Sequence, residues 1–263
     1  MATLAELVAE VAARFERAEL VYGHGTTTAW DEAVALVLGV TGLPDDRSHE
    51  HEVVAERQRR VIFELVERRI GERVPVAYLL GKIHYAGYEF FCEPGVVIPR
   101  SPISQLIAAG LRPWLRGAPA TLVDVCCGTG CLGILCAHAF PEARVTLVDL
   151  DPQAVALAQR NVAAHGLANR VQVVASDLFA QVPPGRFDVL ISNPPYVDAV
   201  DMAALPAEYR HEPSLGLAGG EDGLDLVARL LQQAVARLAP DGLLVCEVGG
   251  AAAALQRRFP RLP

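Results

Sequence analysis

The sequence predicts an α/β protein in which a doubly wound, mostly parallel sheet follows a small helical domain. Three observations carry that reading. From residue 121 onward, β-branched runs alternate with helical patterns, and such alternation builds a parallel sheet with helices on both faces. Residues 1–72 instead repeat their apolar positions at helical spacing. Between them, glycines and prolines punctuate residues 71–101, as a connecting segment requires.

Three helices are expected first. Their apolar stripes are Leu4, Leu7, Val8, Val11 and Phe15; then Trp30, Val34, Val37 and Leu38; then Val54, Val61, Ile62, Leu65 and Ile70. In "YEFFCEPGVVIPR", two short strands are expected around Glu93, Pro94 and Gly95. Ser101 and Pro102 mark a helix start, since Ser caps free amides and Pro suits the first helical position. The later strands are "TLVDVC", "RVTLVDL", "VQVVASDL", "RFDVLIS" and "GLLVCEV", with helices to about 140, from 152, and near 223–238. The expected domains are 1–72, helical; 73–101, a hairpin linker; and 102–263, the sheet domain.

The 263 residues suffice for a sizeable core, and 52% hydrophobic against 21% charged residues argue against disorder. No apolar run approaches the roughly eighteen residues a membrane span needs. The amino terminus lacks the basic flank of a signal peptide, so a cytoplasmic protein is expected. A net charge of −8 suits nucleic acid poorly, and the first hundred residues carry 11 basic against 16 acidic side chains. Six cysteines stand at 92, 126, 127, 131, 136 and 246 without a C-x-x-C pair, so buried thiols are expected and no metal site.

Ligands of such sheets sit beyond the carboxyl ends of the strands. After the first strand, "DVCCGTGCLG" places Gly128, Gly130 and Gly133 in G-x-G-x-x-G spacing, where backbone and helix N-terminus admit a ligand. The pattern alone fits a dinucleotide pyrophosphate, the amino-acid end of S-adenosylmethionine, or a turn that only packs. Asp124 favours the second, because it can accept from an ammonium. After the second strand, Asp151 precedes Pro152 as a helix cap, which leaves Asp149 for ribose hydroxyls. After the third, "SDLF" offers Asp177 to an adenine amine, with Leu178 and Phe179 as apolar walls.

The fourth tip reads "NPPY". By composition that tetrapeptide arises at roughly one position in several hundred thousand, so chance is a poor account of it at a strand end. An amide or aromatic amine nitrogen is a weak nucleophile because its lone pair is delocalised. Two acceptors for its N–H groups, the Asn193 side-chain oxygen and the Pro194 carbonyl, turn that lone pair toward an electrophile. Pro195 holds Pro194 extended, and Tyr196 packs on the flat group. Asn193, Pro194 and Tyr196 are therefore the expected catalytic residues. Seven carboxylates between Val197 and Asp225 (Asp198, Asp201, Glu208, Glu212, Glu221, Asp222 and Asp225) oppose only Arg210, an acidic rim suited to a basic protein segment.

"DVCCGTG", "VDLD", "SDLF" and "NPPY" together resemble class I S-adenosylmethionine-dependent methyltransferases with Rossmann-like sheets. Over nearly the whole chain, "RVPVAYLLGKIHYAGYEFFCEPGVVIPR", "EYRHEPSLGLAGGEDGLDLV" and "LLVCEVG" resemble the protein-glutamine N5-methyltransferases. "YGHGTTTAWDEAVALVL" and "VIPRSPISQLI" are similar to the branch acting on large-subunit ribosomal protein L-three rather than on release factors. The resemblance implies S-adenosylmethionine as cofactor, a basic ribosomal protein as partner, and substrate recognition by the helical domain. It implies cofactor contacts at Gly128, Thr129, Gly130, Asp149, Leu178 and Asn193. It implies a glutamine amide held by Asn193, Pro194, Pro195 and Tyr196. Two departures stand out: Cys126 replaces a frequent glycine, and the chain ends at "LQRRFPRLP" where relatives continue into two more strands. The "GLLVCEV" strand is thus expected either to present an open edge or to be covered by another segment. A nucleic-acid amino-methyltransferase and a shortened relic without activity are the competing readings.

Overall fold

The computed structural model describes residues 2–262; Met1 and Pro263, the outer ends of the expected domains, lie outside the described residues. Helix α1 (Leu4–Arg17) opens with a capping box in which Thr3 and Glu6 satisfy each other's amides. Helix α2 (Ala29–Thr41) starts at the Thr28 cap and stops at Gly42 in the left-handed conformation. With α3 (Glu56–Glu72) and the short α4 (Val76–Leu80), they enclose Leu7, Val11, Phe15, Leu36, Val37, Ile62 and Val66.

Two of the expected stripes are rotated. Trp30 and Val61 are exposed, and Val54 is buried ahead of α3 rather than within it. The inward face of α2 instead carries Glu32, and that of α3 carries Arg69, which is 0% exposed. A buried ion pair thus lies where apolar periodicity sees only polar positions.

The hairpin also differs from expectation. Strands β1 (Lys82–Tyr85) and β2 (Tyr88–Phe91) pair antiparallel across Ala86 and Gly87, whose φ values of 51° and 85° make a two-residue turn with both central residues left-handed. "VVIP" is not a strand, because its Ile98 amide is taken by the Glu212 side chain at 2.8 Å rather than by a sheet neighbour. Helix α5 (Ile103–Ala108) begins just after Ser101, whose Oγ accepts the Ile103 amide at 3.2 Å.

The sheet comprises β3 (Thr121–Val125), β4 (Arg144–Asp149), β5 (Val171–Ala175), β6 (Phe187–Ser192) and β7 (Leu238–Cys246), all parallel in the order β5-β4-β3-β6-β7. Helices α6 (Cys131–Ala139) and α7 (Pro152–Ala164) join successive strands, and α8 (Ala199–Ala204) and α9 (Asp225–Arg237) lie between β6 and β7. Side-chain alternation divides the sheet between two cores. Leu122, Leu147, Val189 and Ile191 pack with α5 and α6, whereas Val123, Val125, Val148 and Leu190 face Leu230 and Ala234 of α9. After β7 comes α10 (Ala252–Arg258), and β7 pairs on one side only, so the edge stays open among the described residues.

Register lines up the tips. Val125 pairs with Val148 on one side and with Ser192 on the other, and Asp149 pairs with Ala175. The next residues, Cys126, Asp149, Asn193 and the segment starting at Ser176, therefore end in one row. Because β4 and β6 leave β3 in opposite directions, the row opens into the crevice where such sheets bind ligands.

Candidate active site

A cavity of about 610 Å³ lies over that row, lined among others by Gly128, Thr129, Asp149, Asp177, Leu178 and Asn193 through Tyr196. Its size suits a nucleoside-bearing ligand together with a small acceptor group. The turn below it runs through Cys126, Gly128 and Gly130 at φ of 61°, 54° and 79°. Cys126 thus occupies the left-handed conformation that a glycine adopts freely, at a cost of about 1 kcal/mol. Burial pushes its thiol far above the ordinary range. It lines the cavity as a neutral wall rather than a nucleophile. No three metal-ligating side chains gather among the described residues.

The carboxylates divide into different roles. Asp149 lines the cavity, and its two oxygens accept from the Gly128 amide at 2.8 Å and the Asp151 amide at 3.0 Å. Each oxygen keeps a second lone pair for a hydroxyl. Asp151 caps α7 through the Gln153 amide at 2.8 Å, the helix-cap role read from its Pro152 neighbour.

Asp124 does not line the cavity. It is 2% exposed behind the glycine turn, accepts from the Gly133 amide at 2.8 Å, and leaves Oδ1 without a partner. Burial, reinforced by the nearby Asp149 charge, raises its carboxyl to about 7 despite the Gly133 bond. Asp177 lines the cavity but is half-exposed, with Oδ2 2.7 Å from Arg229. Leu178, at φ 50°, presents a buried apolar side chain to the cavity. Phe179 is a correction: it is buried under Arg237, 5.3 Å from that guanidinium, and forms no part of the cavity wall.

At the fourth tip the Asn193 side-chain oxygen is buried without a hydrogen-bond partner, although the residue faces the cavity. An orphaned buried acceptor is costly unless something else donates to it. Pro194 and Pro195 line the cavity beside it. The phenol of Tyr196 donates to Glu247 at 2.7 Å, and burial with that neighbour keeps it neutral. Gly249 makes room for the ring, since a Cβ there would stand 2.3 Å from Tyr196 Cε2.

Two residues outside the motifs hold the site. Glu247, just beyond β7, accepts from both Tyr196 and Ser101, and so ties the fourth tip to the start of α5. Asn161, 0% exposed on α7, donates to the Thr129 carbonyl at 2.9 Å and takes the Phe91 amide at 2.8 Å, which fastens the hairpin to the glycine turn. The polar Asn at a core position of α7 is a signal available in the sequence.

The acidic rim is reduced. Glu208 and Glu212 are buried and paired, Glu208 with Arg69 and Arg73, Glu212 with Arg100. Asp198 caps α8, and Asp222 lies 3.5 Å from Arg258. Asp201, Glu221 and Asp225 remain exposed, and Asp225 lines the cavity.

The parallel order, the row of tips and the cavity define a Rossmann-like methyltransferase scaffold, and residues 104–207 match the family model described as methyltransferase small domain. The catalytic domain of hMettl16, solved with an RNA hairpin, has the same fold at a TM-score of 0.52 and 15% identity, over 89% of this chain and 85% of that one. Similarity in sequence is narrower. The ribosomal protein uL3 glutamine methyltransferase of Bordetella pertussis is 43% identical over 99% of this chain and 89% of its own length. That of Burkholderia pseudomallei is 41% identical over 98% and 87%. The chain belongs to the family of ribosomal protein uL3 glutamine methyltransferases, as the motif resemblance implies.

Proposed function

We propose that this protein transfers the methyl group of S-adenosylmethionine to the side-chain amide nitrogen of a glutamine in ribosomal protein uL3. The observation that carries the chemistry is the Asn193 oxygen, a buried acceptor in the cavity wall that no group of the chain satisfies. Asn193 accepts one N–H of the glutamine amide and the Pro194 carbonyl accepts the other. The amide lone pair is thereby turned out of conjugation toward the donor, and the positive charge that develops on nitrogen is stabilised. Tyr196, neutral and anchored by Glu247, supplies a flat wall for the amide. No strong base adjoins the nitrogen, so its proton leaves to water after transfer.

The residues present fit the cofactor. Gly128 and Thr129 border its amino-acid end, Asp149 holds the ribose and Leu178 walls the adenine, while Gly130, expected beside the cofactor, packs the turn against Leu147 and Ala158 outside the cavity lining. Asp177 takes part only at the rim, because Arg229 shares it. Asp124 stands behind the turn, walled off from the cavity, and bears on the ammonium only through the glycine turn it supports. Bound there, the cofactor supplies an electrophilic methyl on a sulfonium. Residues 1–72 serve substrate recognition, and Asp201, Glu221 and Asp225 attract the basic segment around the glutamine. A ribosomal-protein substrate, as named for the relatives, supports a cytoplasmic setting, and no described helix is long and apolar enough to cross a membrane.

The test is methyl transfer from labelled S-adenosylmethionine to purified uL3 and to a peptide-release factor. Labelling of uL3 at glutamine is expected. Labelling of the release factor alone would reassign the acceptor, and labelling of neither would leave the relic reading standing.

A further inference from the structure

We propose that Tyr209 is a positioning residue for the acceptor glutamine, held in place by two buried carboxylates that bolt its turn to segments outside the sheet. The inference rests on the glutamine-methylation reading and adds a second aromatic wall to the same site. Tyr209 lies in the 3-10 turn Ala207–His211, beyond the N-P-P-Y motif, and lines the cavity together with Asn193 and Tyr196.

Its ring is held by groups distant in sequence. His24 packs on it with ring centroids 4.3 Å apart, and the Arg100 guanidinium lies 5.5 Å from the ring centroid. The phenol end lies over Gly23, where a Cβ would stand 2.0 Å from the hydroxyl oxygen, so only glycine admits the ring. The turn itself is pinned at both ends. Glu208 accepts from the Val21 amide at 3.1 Å and from Arg69 and Arg73 at 3.4 Å each, while Arg69 is fixed by Glu32 at 3.0 Å. Glu212 takes both terminal nitrogens of Arg100, at 2.6 and 2.8 Å, and the Ile98 amide at 2.8 Å.

Buried ion pairs are a poor source of stability, because apolar residues of similar volume serve as well or better. What a bidentate Arg–carboxylate pair adds is defined geometry. Here one bidentate pair, Glu212 with Arg100, and one carboxylate shared by two arginines, Glu208, flank one short turn, and the side chain they place is an aromatic ring in the wall of the cavity. An acceptor glutamine has a flexible stem, and its amide must be held in a near-attack position for the Asn193 and Pro194 acceptors to act. Tyr196 contributes one wall, and Tyr209 contributes another whose position is set by the helical region and the linker rather than by the strands.

The experiment is steady-state kinetics with full-length protein and purified uL3, alongside calorimetric S-adenosylmethionine binding. Tyr209→Ala is expected to raise KM for uL3 by about tenfold or more, with cofactor affinity within about twofold of the parent. Tyr209→Phe, which keeps the ring, restores KM. Glu212→Gln keeps the side-chain shape but not the ion pair, and is expected to shift KM in the same direction as Tyr209→Ala. An unchanged KM in Tyr209→Ala, or a parallel loss of cofactor affinity, overturns the inference while the parent's activity on uL3 stands. A parent that labels no glutamine defeats the underlying reading, and this inference falls with it.

Discussion

The cavity has two sides built on different principles. On the cofactor side, Asp149 ends β4 while Gly128 and Leu178 lie three residues beyond β3 and β5, and the register of those parallel strands brings them together. On the acceptor side, Arg100 and Tyr209 come from the linker and from the long loop after β6, and what places them is a set of side-chain pairs between residues far apart in sequence. Strand tips are positioned by backbone ladders that any suitable apolar run can form. The outer wall depends on individual side chains meeting their partners.

The sharpest way to break this contrast is to remove one long-range partner. Arg69→Met leaves Glu32 and part of Glu208 buried without their cation, and is expected to cost about 3–5 kcal/mol in urea unfolding. A loss below about 1 kcal/mol would mean the outer wall does not depend on these pairs.

At the tips the largest effect falls on turnover rather than folding. Asn193→Ala is expected to lower kcat by about 10²- to 10³-fold, the usual scale for losing one preorganised polar group, with cofactor binding mostly intact. Unchanged turnover would refute its role.

Asp124 tests the layer behind the tips. Its carboxyl, ordinarily near 3.8, is raised to about 7, so the folded state keeps a proton that the unfolded chain has lost. Stability therefore falls as pH rises from about 4 through 7, and stays lower above that range. Asp124→Asn removes this loss and is expected to gain several degrees of melting temperature at pH 8 but little at pH 4. A parallel loss of S-adenosylmethionine affinity would show that the buried charge also serves the ammonium through the glycine turn.

The smallest effect belongs to the rim. Arg229→Ala breaks a half-exposed pair with Asp177, and is expected to change cofactor binding by less than about 1 kcal/mol in calorimetry.

The same division explains how much could be read in advance. The strand sequence, the G-x-G-x-x-G turn, the Asp151 cap and N-P-P-Y are all local patterns, and the structure places each at a strand tip. Apart from the hairpin, whose Ala86–Gly87 turn is local, the misreadings are long-range. Glu208 and Glu212 look like solvated acids until Arg69 and Arg100 meet them. "VVIP" looks like a strand until Glu212 takes its amide, and Phe179 looks like a pocket wall until Arg237 covers it. Trp30 seems to belong to a helix stripe because periodicity ranks residues by polarity and cannot see that Glu32 has a buried cation to face.

The amino-acid sequence by itself determined the alternating strands and helices, the glycine turn, and the polar tips where cofactor and amide chemistry sit. It could do so because strand period, turn conformation and capping are set within a few residues. Only the tertiary structure decided which carboxylates are buried, which arginines neutralise them, and therefore where the acceptor wall stands. A buried charge is stable only beside its partner, and that partner is chosen by packing in three dimensions, not by neighbours in the chain.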